Sequence, residues 1–433
     1  MASKLLLLPF VLLVGTALST NPLSEKLQEQ LKNPAVVNFR EYLRIDTSRS
    51  ENLPVGVEFW RQQAAEAGLE FAVYAPAGKP ICVLTRVGAD PELPSIMLNS
   101  HMDVVAAVPS EWTYPPYEAH VDEEGNIYGR GAQDTKDIAI QYLEAVRRID
   151  ALNVTLQRTI HITLMPDEET GGFEGIRPFI ASPEYKALNV GFALDEGLSS
   201  PTDDIYATYQ DRRAWSIEIT VKGSGGHGSS MPADIAIKKL QKLINVMMRY
   251  RKPLEKALKS VSSLEYGAYT TLNINMINGG LAANIIPETF TLVADMRLCP
   301  AENATEILSV VNSWAEFAGN GTTVKFLRRE MESLATPIDE SNPFWVTMKE
   351  TITQMGYNLV PVVCPATSDM LHVRNTGTPA IGFAPKRRTT PRIHAADEYL
   401  NIDIFLQGID IYVPLIINLA NVPASGQESV VAN

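Results

Sequence analysis

The chain has 433 residues, 45% of them hydrophobic, and a net charge of −13, which is enough for a sizeable core and more than one typical domain. With an acidic balance and no basic stripe or tail, nucleic acid and anionic membrane surfaces are argued against as main partners. The one basic run, Lys386-Arg387-Arg388, reads as a solvated loop.

The first segment reads as a leader. Lys4 precedes an apolar run over 5–14 and the small-x-small pattern Ala17-Leu18-Ser19, so a signal peptide over 1–19 is expected, with the mature chain starting near Thr20. The run is short for a membrane span, and no span is expected in the mature chain. Asn-x-Thr triplets at Asn153, Asn303 and Asn320 fit passage through the secretory pathway, giving a secreted or lumenal location as the expectation. Cys82, Cys299 and Cys364 are an odd set beside apolar segments and read as buried thiols before disulfides.

Apolar periodicity predicts helices over 34–45 and 55–67, then strands over 70–74, 81–86 and 95–98. The last strand runs into Asn99-Ser100-His101-Met102-Asp103, an imidazole at a strand terminus with an acid two residues on, a spacing suited to a metal-bound histidine held by a carboxylate. Gly129-Arg130-Gly131-Ala132-Gln133-Asp134-Thr135-Lys136 turns tightly and opens a helix with Ile138, Tyr142, Val146 and Ile149 on one face. Asp134 there is either a helix cap or a carboxylate aimed into a site.

The strand over 160–165 leads into Pro166-Asp167-Glu168-Glu169-Thr170-Gly171-Gly172, and the strand over 190–194 into Asp195-Glu196-Gly197. Two adjacent acids can divide labour, one binding a metal while the other takes a proton from water. An acidic triplet after a strand is by itself an ordinary solvated loop. Here, however, polar groups recur at successive C-terminal ends of an alternating α/β pattern, the edge of an open sheet where ligands collect.

The texture changes near Gln210. Residues 215–221 alternate as a half-exposed antiparallel strand. They are followed by a helix over 235–250, strands over 270–276 and 290–298, a helix over 305–318 and a strand over 324–328, a βαββαβ unit inserted in the chain. Gly223 to Gly228 spells GxGxxG, but no βαβ unit with a ribose-binding acid follows. The α/β pattern resumes after Pro337 with a helix over 344–355, extended segments over 359–363 and 380–383, and a last amphipathic helix over 405–420. Of six histidines, His161 lies in an apolar strand, and His120 and His372 have no acid or glycine context. His101, His227 and His394 sit in loops beside acids or glycines. No GxSxG or HExxH occurs, so a serine hydrolase elbow and a single-zinc helix are both missing.

Together, His101-Met102-Asp103, the 129–136 and 166–172 segments, Ala193-Leu194-Asp195-Glu196-Gly197, Gly226-His227 and His394 resemble the motif series of the aminoacylase and carboxypeptidase family of di-zinc amidohydrolases. The likeness covers nearly the whole mature chain. It implies an α/β, zinc-peptidase-like catalytic domain over 20–209 and 334–433, interrupted by an α+β, ferredoxin-like lid over 210–333 that also pairs two subunits.

Position by position, the resemblance implies that Asp134 bridges two zinc ions, with His101 and Glu196 completing one site and Glu169 and His394 the other. Glu168 would be the general base and Asp103 the partner of His101. Arg297 would pair with a substrate α-carboxylate, with Asn284 a nearby lid contact, and a cis peptide is expected after Asp134. His227 lies in the inserted unit away from the strand ends, so it is expected to enter the partner's cleft and stabilise an oxyanion.

The implied reaction is hydrolysis of N-acyl-L-amino acids. The alternatives are a dipeptidase or carboxypeptidase on the same scaffold and, from another class, a non-catalytic binding protein, which is disfavoured because every ligand and base position holds a competent residue. The chain departs from the family pattern at Met370-Leu371, where Asn-Arg is usual, and at His394-Ala395-Ala396-Asp397-Glu398, where His-Asp-His-Asp-Glu is familiar. The familiar relative is cytosolic, which makes the cytoplasm the alternative location.

Overall fold

The computed structural model describes residues 24–424; the leader expected over 1–19 lies outside the described residues. The core begins with helix Pro34–Leu43, whose first turn is set by Pro34 and capped by Asn33, which accepts from the Ala35 amide at 3.0 Å. Its buried face, Val36, Phe39, Tyr42 and Leu43, packs on helix Lys136–Ala151 and on the last helix, Ile402–Ala420. Phe39 stacks on Phe405 with ring centroids 4.5 Å apart. By length and composition Ile402–Ala420 could cross a membrane, yet it buries Phe405, Ile409, Tyr412, Leu415 and Ile416 in the same protein core. Each such side chain contributes about 1.5–3 kcal/mol by leaving water.

These helices cover an eight-stranded sheet. Glu70–Tyr74, Ile81–Arg86, Ile160–Met165, Ser95–His101, Val190–Asp195, Ala380–Phe383, Ile205–Asp211 and Leu359–Cys364 lie side by side in that order. The four central strands, from Ile160–Met165 to Ala380–Phe383, are mutually parallel. They are buried on both faces, which is why they read as continuous apolar runs.

The second sheet has the order Thr271–Gly279, Thr289–Leu298, Arg213–Lys222, Thr322–Arg329, all antiparallel. With helices Ala236–Leu258 and Ala304–Ala318 packed on one face it is the expected βαββαβ, ferredoxin-like unit. Trp215, Ile217, Ile219 and Val221 alternate into its separate core.

Three details differ from expectation. Ile205–Asp211 is a strand of the large sheet, so the expected boundary at 209/210 falls inside it. A helix, Met370–Asn375, occupies the segment ahead of Ala380–Phe383 and buries Met370 and Leu371. Lys386 is not solvated. It is 1% exposed, donates to the Gln133 carbonyl and pairs with buried Asp137 at 3.2 Å, while Arg387 and Arg388 reach outward to Asp203. Cys82, Cys299 and Cys364 are free thiols, with Cys82 and Cys364 buried.

Candidate metal centre

The four central parallel strands end at one edge, and the side chains that follow them converge. His101 is the last residue of its strand, and Glu196 directly follows Val190–Asp195. Glu168 and Glu169 form the short turn after Ile160–Met165, and Asp134 stands just ahead of helix Lys136–Ala151. His101 Nε2 lies 3.1 Å from Asp134 Oδ1 and 3.5 Å from Glu196 Oε2. On the other side, His394 Nε2 lies 3.1 Å from Asp134 Oδ2 and 3.0 Å from Glu169 Oε2. The two oxygens of Asp134 thus belong to two separate three-residue sets, and within each set the donor atoms all fall within 4.8 Å of one another. The Asp134–Thr135 peptide is cis, as expected.

Asp103 is the partner of His101, as expected, and does more besides. His101 Nδ1 bonds the Asp103 backbone carbonyl at 2.7 Å, while the nearer carboxylate oxygen is 3.6 Å away. The carboxylate also accepts the Glu168 and Glu169 amides at 3.2 and 3.1 Å. Its side chain therefore fixes the acidic turn, and its backbone carbonyl, the shorter of its two contacts to Nδ1, orients the imidazole so that Nε2 faces the other carboxylates.

Glu398 was visible in the sequence only as the end of a motif. It is fully buried, with Oε1 accepting the amides of Gln133 and Asp134 and Oε2 those of Gly131 and the Arg130 guanidinium. It holds the turn that presents Asp134. Burial pushes its carboxyl up to about 7 despite these donors.

The electrostatics test whether cations fit. Burial alone would lower the His101 imidazole, but Asp103, Asp134 and Glu196 hold it well above its usual value. Asp134 and Glu169 push His394 up to about 10. Burial, reinforced by Asp134, raises Glu196 to about 8, and burial raises Glu169 and, with Glu196, Glu168. Glu169 Oε1 is buried without a hydrogen-bond partner. Four carboxylates facing two imidazoles, with an orphaned oxygen among them, form a site short of positive charge, and the donor set fits two divalent cations.

Asp134, Glu168, Glu169, Glu196 and His394 line a cavity of about 330 Å³ together with Arg297 and Arg328, with His101 buried behind it. Arg297 donates to Asp295 at 3.0 Å and to Thr367 at 3.4 Å. Arg328 escaped the sequence reasoning altogether. His227 and Asn284 do not line this cavity. They lie together at an exposed two-stranded ribbon in which Gly226–His227 pairs with Ile285–Ile286 and the Gly228 amide donates to the Asn284 carbonyl at 2.7 Å, and they line another cavity with Leu281 and Ile285.

Comparison with known proteins agrees with this geometry. The profile of Peptidase family M20/M25/M40 matches residues 97–418. The chain belongs to this family. The chain is 41% identical over 400 residues to aminoacylase-1 of Sus scrofa, covering 92% of this chain and 98% of the relative. Its fold is similar to an M20 family metallo-carboxypeptidase of Sulfolobus solfataricus, at a TM-score of 0.75 and 18% identity over 90% of this chain and 99% of that one. It is also similar to a dinuclear metal-binding M20 peptidase of Bacillus subtilis, at a TM-score of 0.62 and 15% identity over 92% of this chain and 100% of that one. Membership of this family and the paired donor sets make this M20 chain a metal-dependent hydrolase.

Proposed function

We propose that the chain hydrolyses N-acyl-L-amino acids to a carboxylate and a free L-amino acid, with two zinc ions in the paired donor sets. The observation that carries this reading is the 41% identity to an aminoacylase-1 along nearly the whole chain, joined to donor sets that share Asp134. Imidazoles and carboxylates suit zinc. When bound, such a pair polarises an amide carbonyl and lowers the pKa of a water. In this reading Asp134 would serve both ions, His101 and Glu196 would complete one site, and Glu169 and His394 the other. Glu168 takes the proton of the attacking water and passes it to the leaving nitrogen. Arg297 receives the α-carboxylate through its guanidinium fork, and Asn284, which lies beside His227 outside this cavity, adds its contact from the partner's lid.

The lid pairs two subunits in this reading, and each sends His227 into the partner's cleft to stabilise the oxyanion. Its support is the position of His227, exposed and away from the cavity of its own chain. Mixing inactive Glu168→Gln and His227→Ala chains tests this: heterodimers regain activity, whereas verified heterodimers that stay inactive would place His227 outside the reaction.

The reaction itself is tested by zinc-loaded protein against a panel of N-acyl amino acids and dipeptides. Turnover of dipeptides alone would make the chain a dipeptidase or carboxypeptidase on this scaffold, and turnover of nothing a binding protein. Cleavage after residue 19 and delivery to the secretory lumen or medium complete the reading. An intact Met1 in the cytosolic fraction would favour the cytoplasm.

A further inference from the structure

We propose that Arg328 is a second anion-binding point in the metal-site cavity, so that preferred substrates carry a carboxylate besides the α-carboxylate. The inference rests on the amidohydrolase reading and names its substrate class.

The backbone supplies the first observation. In the lid sheet Leu292, Ala294, Met296 and Leu298 are buried against the helices, so Asp295 and Arg297 stand on the opposite face. Strand Thr322–Arg329 pairs Val324 with Ile219 and Phe326 with Ile217, and simple alternation would turn Arg328 toward the helices as well. The register slips between Phe326 and Arg328. Arg328 therefore lies opposite Ser216, which is itself opposite Asp295, and the three form a row across the face away from the helical core. A bulge re-aims a side chain in this way.

The second observation is placement. Arg328 lines the same cavity as Glu168, Glu169, His394 and Arg297. Its guanidinium lies against Gly171, where a Cβ would stand 3.1 Å from Cζ.

The third is charge. Arg328 Nε donates to Glu330 Oε1 at 3.0 Å, and Arg177 donates to the same oxygen. One buried carboxylate thus faces two guanidiniums and leaves one positive charge unmatched. Among the described residues the terminal amino groups of Arg328 have no acceptor. Neighbouring Arg212, by contrast, spends its guanidinium on the carbonyls of Pro365 and Tyr269 and on Thr271, as a purely structural arginine does. A guanidinium with two free amino groups offers a carboxylate a bidentate contact. That carboxylate can come from an acidic amino-acid side chain or from a dicarboxylic acyl group.

The test compares zinc-loaded wild type, Arg328→Gln and Arg328→Lys on N-acetyl-methionine, N-acetyl-glutamate and N-succinyl-methionine. Loss of the contact should lower kcat/KM for one dianion relative to N-acetyl-methionine by about 10–100-fold, mainly through KM, with partial rescue by lysine. The dianion affected identifies the source. Ser216→Asp, which sets an acid beside Arg328 without removing it, should lower the same ratio if Arg328→Gln proves poorly folded. An unchanged ratio in folded variants overturns the proposal. Calorimetric titration with glutarate and butyrate separates it from the amidohydrolase reading. If no N-acyl amino acid is turned over but wild type prefers glutarate and Arg328→Gln does not, only that reading fails. No preference for glutarate in wild type overturns the anion point itself.

Discussion

In the eight-stranded sheet the site residues His101, Glu168, Glu169 and Glu196 stand at or just past the ends of parallel strands, whereas in the four-stranded sheet Arg297 and Arg328 stand within antiparallel strands, on the face away from the helices. A strand end is released from alternation, so its polar residues can cluster, and in this chain they do so beside glycines as short motifs. A residue inside a strand is aimed by register alone, and one extra residue reverses it. The large sheet therefore fixes a rigid metal edge, and the lid face carries groups whose aim depends on its pairing.

The largest expected effect would break the rigid side of this contrast. Lys386→Met leaves Asp137 buried without its cation and removes a donor from the Gln133 carbonyl beside Asp134, so denaturant unfolding should show a loss of about 3–5 kcal/mol. A loss within the range of a surface change would mean that Lys386 does not brace the metal edge.

The acidic turn sharpens the contrast next. Glu168→Gln should keep metal and lose roughly 10² or more in kcat, while Glu169→Gln should lose metal first. Metal content measured beside turnover decides between them, and equal loss of metal and activity in Glu168→Gln would make Glu168 a ligand.

The pH dependence of the large sheet offers a smaller effect. His161 is held between Thr85 Oγ1 at 2.9 Å and the Leu188 carbonyl at 3.2 Å, and burial lowers its imidazole to about 4. The folded chain holds it neutral, so no cost exists above its unfolded value near 6.5; below that the unfolded chain takes up the proton first, and stability falls as the pH drops toward 4. The loss should reach about 2 kcal/mol by pH 5. His161→Asn should flatten that slope in a series of unfolding curves between pH 7 and 5, whatever it does to stability at pH 7. A slope as steep as wild type would assign the acid sensitivity elsewhere.

The smallest effect belongs to Arg388, two residues from Lys386 in the same basic run but exposed with Asp203. Arg388→Ala should leave the melting transition where it is, because solvent already screens that pair. A shift comparable to that of Lys386→Met would remove the distinction between the buried and the solvated parts of this run.

By itself the sequence determined most of the element types, the inserted βαββαβ unit and, through strand-end motifs, His101, Glu168, Glu169 and Glu196, while Asp134 stood in a turn that fits a helix cap as well as a ligand. Apolar periodicity and glycine turns are local properties, and the motifs sit where the chain leaves a strand. His394 stood in a loop with no strand end to announce it, and only the family resemblance gave it a role. Tertiary structure alone decided the rest. It gave the Asp103 carboxylate the Glu168 and Glu169 amides to hold, and it buried Lys386 and Glu398 under the Asp134 turn. Those placements depend on which distant segments meet, and a single charged residue in a loop carries no mark of its partner. Arg328 is the clearest case, since its direction follows from a one-residue slip against a strand about a hundred positions earlier in the chain, which periodicity within its own strand would have assigned to the opposite face.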